Sequence, residues 1–480
     1  MGDSLPSCPP EQTRTNYLLQ DTIMTEPLPE LAAIVLAAGK STRMKSAAAK
    51  VLHPIMGKPM LAYVLDTLQE LGLGRTVVVV GHQAEAVQAR FANYPVAFVV
   101  QEPQLGTGHA VQIAAPALDE RFQTVVVLCG DVPLLRGETI RQLYQEHVAS
   151  GAAATVLTVE LPEPGSYGRI IRDAQGLVLR IVEARDASPA ELSIREINTG
   201  IYCFQLAFLK EALQTLRPDN DQGELYLTDV IAAARARHLP VAGLLTTDQA
   251  SFQGINTRVE LAAVAAQVRQ QINERHMLAG VTLIDPQTTY IEAEVVIGAD
   301  TVVFPNCYLQ GRTTIGEACL LEPNVKISDS RIGNRVTIKM GTVISESQVA
   351  DEVQLGPYAH LRPWSDIRDR AKVGNFVETK KTVLHAGAKA NHLTYLGDAV
   401  VGANVNVGAG TITCNYDGRH KYQTTIEPGA FIGSNSALVA PVTIGAGAYV
   451  GAGSVITEDV PPEKLAIARG RQVIKDIRKK

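Results

Sequence analysis

Ile297-Gly-Ala-Asp-Thr-Val-Val303-Phe-Pro-Asn-Cys-Tyr-Leu309-Gln-Gly-Arg-Thr-Thr-Ile315-Gly-Glu-Ala-Cys-Leu-Leu321-Glu-Pro-Asn-Val-Lys-Ile327 returns an aliphatic residue at every sixth position. The pattern continues, re-phased, through Ile332, Ile338 and Ile344, then Val349, Leu355, Leu361, Ile367 and Val373. After a gap come Val401 and Val407, and finally Ile426, Ile432, Leu438, Ile444, Val450 and Ile456. A period of six fits neither a helix nor a plain alternating strand. It fits a coil of short strands joined by tight turns. Each strand aims its anchor inward, and the Gly that often follows the anchor (Gly298, Gly316, Gly333, Gly402, Gly433) or an Asn is expected to cover turns needing positive φ. A small or β-branched residue recurs four after the anchor, as at Thr301, Thr313, Thr342, Ser436 and Ser454. One such strand cannot bury its own face, so coils must stack into a β-helix. Chance does not sustain the pattern over this many repeats.

At 480 residues the chain exceeds one ordinary core, so two or three domains are expected. Charged residues at 19% and hydrophobic ones at 46% suit a globular protein. A net charge of −5 and a pI near 6.1 argue against a general nucleic-acid binder. No apolar run approaches the roughly 18 residues of a membrane helix. The six cysteines (Cys8, Cys129, Cys203, Cys307, Cys319, Cys414) form no CxxC pair, so reduced thiols in a cytoplasm are expected. Residues 1–29 are polar and Pro-rich without a basic-then-apolar order. They read as a disordered tail in which Met24 is an alternative start.

From Leu31 onward, short apolar runs (Ala32–Leu36, Thr76–Val80, Val96–Val100, Thr124–Leu128) alternate with helical patterns such as Met60–Leu71. That texture predicts a doubly wound, Rossmann-like α/β domain over 30–256, with ligands beyond the carboxyl ends of its strands. The loop after the first strand reads Leu36-Ala37-Ala38-Gly39-Lys-Ser-Thr-Arg43-Met44, with Lys45 and Lys50 close behind. It is not a P-loop, whose first Gly would fall at Ile34, and Gly106-Thr107-Gly108 lacks the third Gly of a dinucleotide fingerprint. A turn with backbone N–H groups and several cations remains, and it suits a triphosphate. Thr257-Arg-Val-Glu260 is a capping box, followed by Leu261, Val264, Ala265, Val268 and Ile272 at helical spacing. It predicts a linking helix over 257–276, with the β-helix and a basic tail over 277–480.

The first loop, then Lys50, Gln101-Glu-Pro-Gln-Leu-Gly106-Thr107 and Gly130-Asp131-Val-Pro-Leu, resemble the sugar-1-phosphate nucleotidyltransferases. With the hexads attached, the chain from about Leu31 onward resembles the GlmU family. Its members join an N-acetylglucosamine-1-phosphate uridylyltransferase to a glucosamine-1-phosphate N-acetyltransferase. The resemblance implies that Leu36, Ala37, Ala38, Gly39, Arg43 and Lys50 meet the phosphates and nucleoside of UTP, with Gln101, Gly106 and Thr107 on the uracil. It implies Gly168, Glu183 and Asn198 on the amino sugar, and Asp131 and Asn256 on Mg²⁺. The family commonly has Tyr or Ser where this chain has Cys129. In-line attack of the sugar phosphate on the α-phosphorus needs no protein nucleophile, only positioning and charge neutralisation. One carboxylate and one amide are an ordinary protein share of a Mg²⁺ shell.

The hexads lapse between about Thr379 and Leu396 and again between about Thr413 and Thr425. Such breaks predict loops thrown out from a binding face. The first holds Lys380, Lys381, His385, His392 and Tyr395; the second holds Asn415, Tyr416 and Asp417. His385 reads as a surface residue, and Trp364 as packing. Asn391-His392-Leu-Thr-Tyr395-Leu-Gly-Asp is similar to the family's catalytic segment. Acetyl transfer to a sugar amine needs a base near neutral pH, which histidine as a residue type supplies. The resemblance therefore makes His392 the base, with Glu378 as a candidate to orient it. It implies Arg362, Lys380, Tyr395 and Asn406 on the acetyl acceptor, and Ala409, Asn415, Tyr416, Ser434, Ala452 and Arg469 along acetyl-CoA. It further implies a left-handed coil, a homotrimer through the β-helix, a bacterial cytoplasmic setting, and no nucleic-acid or membrane partner. Two other readings stay open. The β-helix could be a regulatory module, as in ADP-glucose pyrophosphorylases, against which Lys380, His392, Tyr395 and Asn415 speak. Both domains could be non-catalytic interaction surfaces, as in some translation-initiation exchange-factor subunits, against which Arg43, Lys50 and Asp131 speak.

Overall fold

In the computed structural model, residues 26–39 and 42–475 are described. The expected disordered tail, apart from 26–29, lies outside them, as do Met24, Lys40, Ser41 and the last basic residues. The tail boundary needs correcting at its far end. Leu28 is only 7% exposed and its amide donates to Leu71 O at 3.0 Å, while the Arg141 guanidinium donates to Glu26 O at 2.7 Å. An apolar side chain three residues ahead of the first strand is enough to dock the segment.

The chain divides into two compact units. One runs to His53 and then from Met60 to Asn256; the other comprises Pro54–Pro59 and Thr257 onward. The first unit is built on β1 (Leu31–Ala37); the chain then makes a small hairpin of β2 (Pro54–Ile55) and β3 (Lys58–Pro59), which belongs to the second unit. There follow β4 (Arg75–Val80), β5 (Ala97–Val100), β6 (Thr124–Cys129), β7 (Ala154–Glu160), β8 (Arg169–Arg172), β9 (Val178–Val182), β10 (Glu196–Gln205) and β11 (Val241–Thr246). The sheet order is β11-β7-β10-β6-β1-β4-β5, with β8 and β9 attached beside β10. β1 is parallel to β4 and β6, but β10 is antiparallel to both β6 and β7, so the sheet is mixed where a parallel one was expected. β1 is apolar throughout because both of its faces are covered. Ala32 and Ile34 join Val77, Val79, Val125 and Val127 under one helical layer. Ala33 and Val35 join Val78, Val80, Val126 and Leu128 under the other.

In the second unit a helix spans Arg258–Leu278, ending two residues beyond the expected 276. Thr257 Oγ1 accepts from the Glu260 amide at 3.2 Å and Glu260 returns the bond to the Thr257 amide at 2.7 Å, so the capping box forms. Val264, Val268 and Ile272 are buried. Beyond it the short strands stack in parallel, with Val303 beside Leu321 eighteen residues on and Ile315 beside Ile332 seventeen residues on. Three strands make one turn of the coil, and every anchor from Ile297 to Ile456 is buried.

Two details of the coil differ from the sequence reading. Positive φ falls three residues after the anchor, where Asn covers the turn as expected at Asn306, Asn324 and Asn404 and Asp300 does so in their place at another. Most of the glycines directly after an anchor serve close approach instead. A Cβ at Gly433 would stand 2.4 Å from the Ala452 nitrogen, where backbone has no room to yield. Gly433→Ala should therefore destabilise the β-helix by about 1–3 kcal/mol; an unchanged thermal transition would contradict this. The first expected break is also absent. Strands Glu378–Leu384, Lys389–His392 and Tyr395–Val401 continue the coil, with Thr379 and Ala390 fully buried at the inward positions. A hydroxyl and a methyl hold those places, so the aliphatic period lapsed while the geometry did not. Only the second break, residues 415–423, is a true excursion, closed by a bridge between Tyr416 and Lys421.

Each unit carries a buried imidazole. Burial lowers His147 to about 4, its Nδ1 lying 2.9 Å from Thr155 Oγ1. Burial, helped by Arg275, lowers His276 to about 4. Both sit below their unfolded value of 6.5, so the unfolded chain binds more protons between those limits. Their contribution is complete above about pH 6.5 and is lost as pH falls toward 4, on the order of 3 kcal/mol each. Thermal unfolding at pH 7.5 and 5 should show the loss, and His147→Phe and His276→Gln should each flatten it. Equal slopes in the variants would refute the assignment.

Candidate functional site

The ends of β1, β5 and β6 surround a cavity of ≈ 720 Å³, a volume that suits a nucleotide. Leu36, Ala37, Ala38, Gly39, Lys50, Gln101, Gly106, Thr107, Cys129 and Asp131 all line it. Gln101 is held from two sides: its amide donates to Val80 O at 2.7 Å, and its Nε2 donates to Gly106 O at 2.9 Å. Gly106 has φ +102 and its missing Cβ would meet Leu225 O at 2.7 Å, so only glycine fits this turn. Lys50 Nζ bonds Asp131 Oδ2 and, at 3.1 Å, Asn256 Oδ1; Arg43 reaches the same Asn256 oxygen at 3.0 Å. Two hard oxygens, 125 residues apart in the chain, thus converge on a single cationic centre. Beside them the Cys129 thiol is pushed up to about 12, by burial first and then by the Asp131 charge, so it is a neutral wall. Gln104, missed in the sequence reading although it lies within the Gln101–Thr107 motif, donates to Ala38 O at 2.5 Å and fastens the loop after β1. Glu224 is a further lining residue that no sequence signal marked.

Next along the sheet, Gly168, Glu183 and Asn198 come together. The Asn198 amide donates to Gly168 O at 2.9 Å, and a Cβ at Gly168 would press on Ile181 at 3.2 Å. Burial raises the Glu183 carboxyl above the usual range, against the Thr228 hydroxyl that donates to it at 3.4 Å.

On the β-helix, coil stacking gathers residues far apart in sequence. Tyr395 lies beside Glu378, and the Glu378 carboxylate accepts from Arg362 at 2.8 Å. Glu378 is thus engaged by Arg362 in the adjacent coil, through one of its two carboxylate oxygens. The His392 ring is exposed at the end of its strand with no hydrogen-bond partner among the described residues; its carbonyl accepts from Thr394 Oγ1 at 2.8 Å. Lys380 is lowered from its ordinary value by its contact with the Lys421 ammonium, with Arg362 also nearby. Three cations thus gather on one face with Tyr395 beside them, a concentration of positive charge that attracts anions. Lys421 escaped the sequence reading because it reaches Lys380 only through the 415–423 excursion. Asn415 Nδ2 bonds Asp398 at the root of that loop, whereas Tyr416 is exposed and bonds Gly418 O in its own loop. Asn406 sits on another face, in register with Lys389 and Phe431.

Ala409, Ser434 and Ala452 follow stacked glycines in successive coils. Ala409 O accepts from the Asn435 amide at 2.7 Å, Ser434 O from the Gly453 amide at 2.8 Å, and Ala452 O from the Arg469 guanidinium at 2.7 Å. They form one column ending at a cation. Trp364, expected to be packing, is 62% exposed, with the Lys381 ammonium 4.7 Å from its ring centre. A positive-φ turn position points it outward, so no core is there to receive it.

Residues 33–187 match the MobA-like NTP transferase domain, and residues 423–458 the bacterial transferase hexapeptide (six repeats). Bifunctional protein GlmU of Trichlorobacter lovleyi is 54% identical over 445 residues, covering 92% of this chain and 97% of its own. The proteins of that name from Heliobacterium modesticaldum (50%; 92% and 96% covered) and Geobacter sulfurreducens (49%; 93% and 98% covered) are similar to the chain in both halves. With a nucleotide-sized cavity in one unit, a cluster of cations on the coil of the other, and relatives about half identical aligned across both, this chain belongs to the GlmU family of bifunctional proteins.

Proposed function

We propose that the chain makes UDP-N-acetylglucosamine in two steps: acetyl transfer from acetyl-CoA to glucosamine 1-phosphate on the β-helix, then uridylyl transfer from UTP in the α/β unit. The observation that carries the reading is that each unit holds its own complete set of charges, the Lys50–Asp131–Asn256 centre in one and the Arg362–Lys380–Lys421 group beside Tyr395 in the other.

In the uridylyl site, Gln101 selects the base, with its orientation held by Gly106, and Arg43 and Lys50 neutralise phosphate. Glu183 and Asn198 hold the amino sugar so that its phosphate meets the α-phosphorus in line. Asp131 and Asn256 fit Mg²⁺, because their oxygens already converge on a cation and are hard donors. When bound there, the ion supplies charge neutralisation to the polyphosphate. Lys50 exchanges its bond to Asp131 for the substrate phosphates.

In the acetyl site, Arg362, Lys380 and Lys421 take the sugar phosphate. His392 removes a proton from the ammonium, so that the amine attacks the thioester carbonyl and the CoA thiol leaves. Tyr395 holds the sugar, and Asn406, on another face of its own coil, joins it where a second copy of the chain brings that face to the site. Asn415 and Tyr416 guide the pantetheine arm, which runs along Ala409, Ser434 and Ala452 to the phosphates at Arg469. Tyr358, Phe376 and Leu393 form an exposed column on one corner, the two rings stacked at 5.4 Å, with His392 next to Leu393 in the chain. A homotrimer through the β-helix covers such a column. No helix among the described residues is long and apolar enough to cross a membrane; the substrates place the work in a bacterial cytoplasm.

One incubation tests the reading. With glucosamine 1-phosphate, acetyl-CoA, UTP and Mg²⁺ present, free thiol should appear first and pyrophosphate should depend on it. Thiol without pyrophosphate, or the reverse, would remove one of the two activities.

A further inference from the structure

Behind Cys129, which lines the uridylyl cavity, β10 carries an irregularity at Gly200. Against β7, Asn198 pairs with Thr158 and Tyr202 with Val156, so four residues advance on one strand for two on the other. Strand residues four apart in a regular ladder lie about 13 Å from each other. Here the bulge folds them together, and Asn198 Nδ2 donates to the Tyr202 hydroxyl at 2.7 Å. The other end of the same amide is also fixed, because Asn198 Oδ1 accepts from the Gly200 amide at 3.0 Å. Gly200 holds φ +78, and Thr199 Oγ1 anchors the bulge by donating to Leu157 O at 2.8 Å. Tyr202 is buried, its ring stacked on Phe204 at 5.5 Å, so its hydroxyl cannot swing away. Bulges beside active sites commonly re-aim a side chain.

We propose that Tyr202 is a positioning residue for the sugar phosphate: its buried hydroxyl locks the Asn198 amide so that one N–H stays aimed at the N-acetylglucosamine moiety. The proposal rests on the uridylyl-transfer reading and adds to it a residue that does not touch substrate. A strand of ordinary register would leave Asn198 free to rotate, and binding would then carry the cost of fixing it.

Tyr202→Phe deletes the hydroxyl and keeps the stacked ring. KM for N-acetylglucosamine 1-phosphate should rise about three- to tenfold, the worth of one neutral hydrogen bond, with kcat and KM for UTP within twofold. In an Asn198→Ala background the same change should have no further effect. Gly200→Ala reaches the lock by a second route. Its Cβ has ordinary room, 3.7 Å from Cys129 Sγ, but its φ strains the bulge, so the same selective rise in KM is expected. An unchanged sugar KM in Tyr202→Phe, a parallel loss for both substrates, or a full effect without the Asn198 side chain would each overturn the proposal. Absence of sugar-dependent pyrophosphate release in the unaltered enzyme would instead overturn the functional reading beneath it.

Discussion

His392→Ala should lower acetyl transfer by about 10²–10⁴-fold, the usual worth of a positioned general base, and leave uridylyl transfer unchanged. The ring is exposed and has no hydrogen-bond partner among the described residues, so its removal opens no cavity and breaks no packing. The thermal transition should therefore stay where it is, and the loss should fall in kcat, with KM for glucosamine 1-phosphate nearly constant. Its backbone still closes the coil through the Gly410 amide, whatever side chain is present. Thiol release and pyrophosphate release, measured on the same preparation, give the result directly. Retained acetyl transfer, or equal loss of both activities, would take His392 out of the mechanism. Lys421→Ala makes a useful contrast, because losing one of three phosphate-facing cations should raise KM for the acceptor with a smaller change in kcat.

The second large effect is expected at the other site. Asp131→Asn should cut uridylyl transfer by about 10²–10³-fold, the scale found when one group aimed at developing charge is removed. It should also weaken Mg²⁺ binding, because only neutral oxygens would remain to hold the ion. Here the change is not silent for the ground state. Lys50 now bonds both Asp131 and Asn256, and with the carboxylate gone its ammonium keeps only neutral oxygens there. A pyrophosphate assay titrated with Mg²⁺ should show both the lower plateau and the rightward midpoint. Acetyl transfer should be untouched. An unchanged Mg²⁺ midpoint would argue that Asp131 serves only as the counter-charge of Lys50.

Much of the fold was legible in residue order. The alternating apolar runs from Ala32 to Leu128 marked strands covered on both sides, and β1, β4 and β6 lie at those places. The capping box at Thr257 marked the start of the long helix to the residue. The antiparallel β10 was not legible, because a strand buried on two faces has the same composition in either direction. The site residues came from motifs whose members sit close together in the chain. Gln101, Gly106 and Thr107 share one segment, and Asn391 to Asp398 another. Lys421, Glu224 and Tyr202 belong to no such segment, and each reaches its site only through a loop, a turn or a bulge.

The hexads show where the division falls. By itself the sequence determined that a β-helix forms and which residues point inward, because burial must recur with the step of the coil and aliphatic side chains satisfy it. It could not distinguish a lapse in hydrophobicity from a lapse in geometry. Thr379 and Ala390 hold inward positions with no long aliphatic chain, so a continuous coil resembled a loop. Only the tertiary structure decided that, and it also decided who meets whom across coils. Arg362 finds Glu378 sixteen residues on, and Lys380 finds Lys421 forty-one on, because the step between coils is set by turns whose φ values have no one-to-one reading in residue type. Periodicity is a local property and survives in the one-dimensional string; side-chain pairing depends on the register between coils, which exists only after the chain has wound.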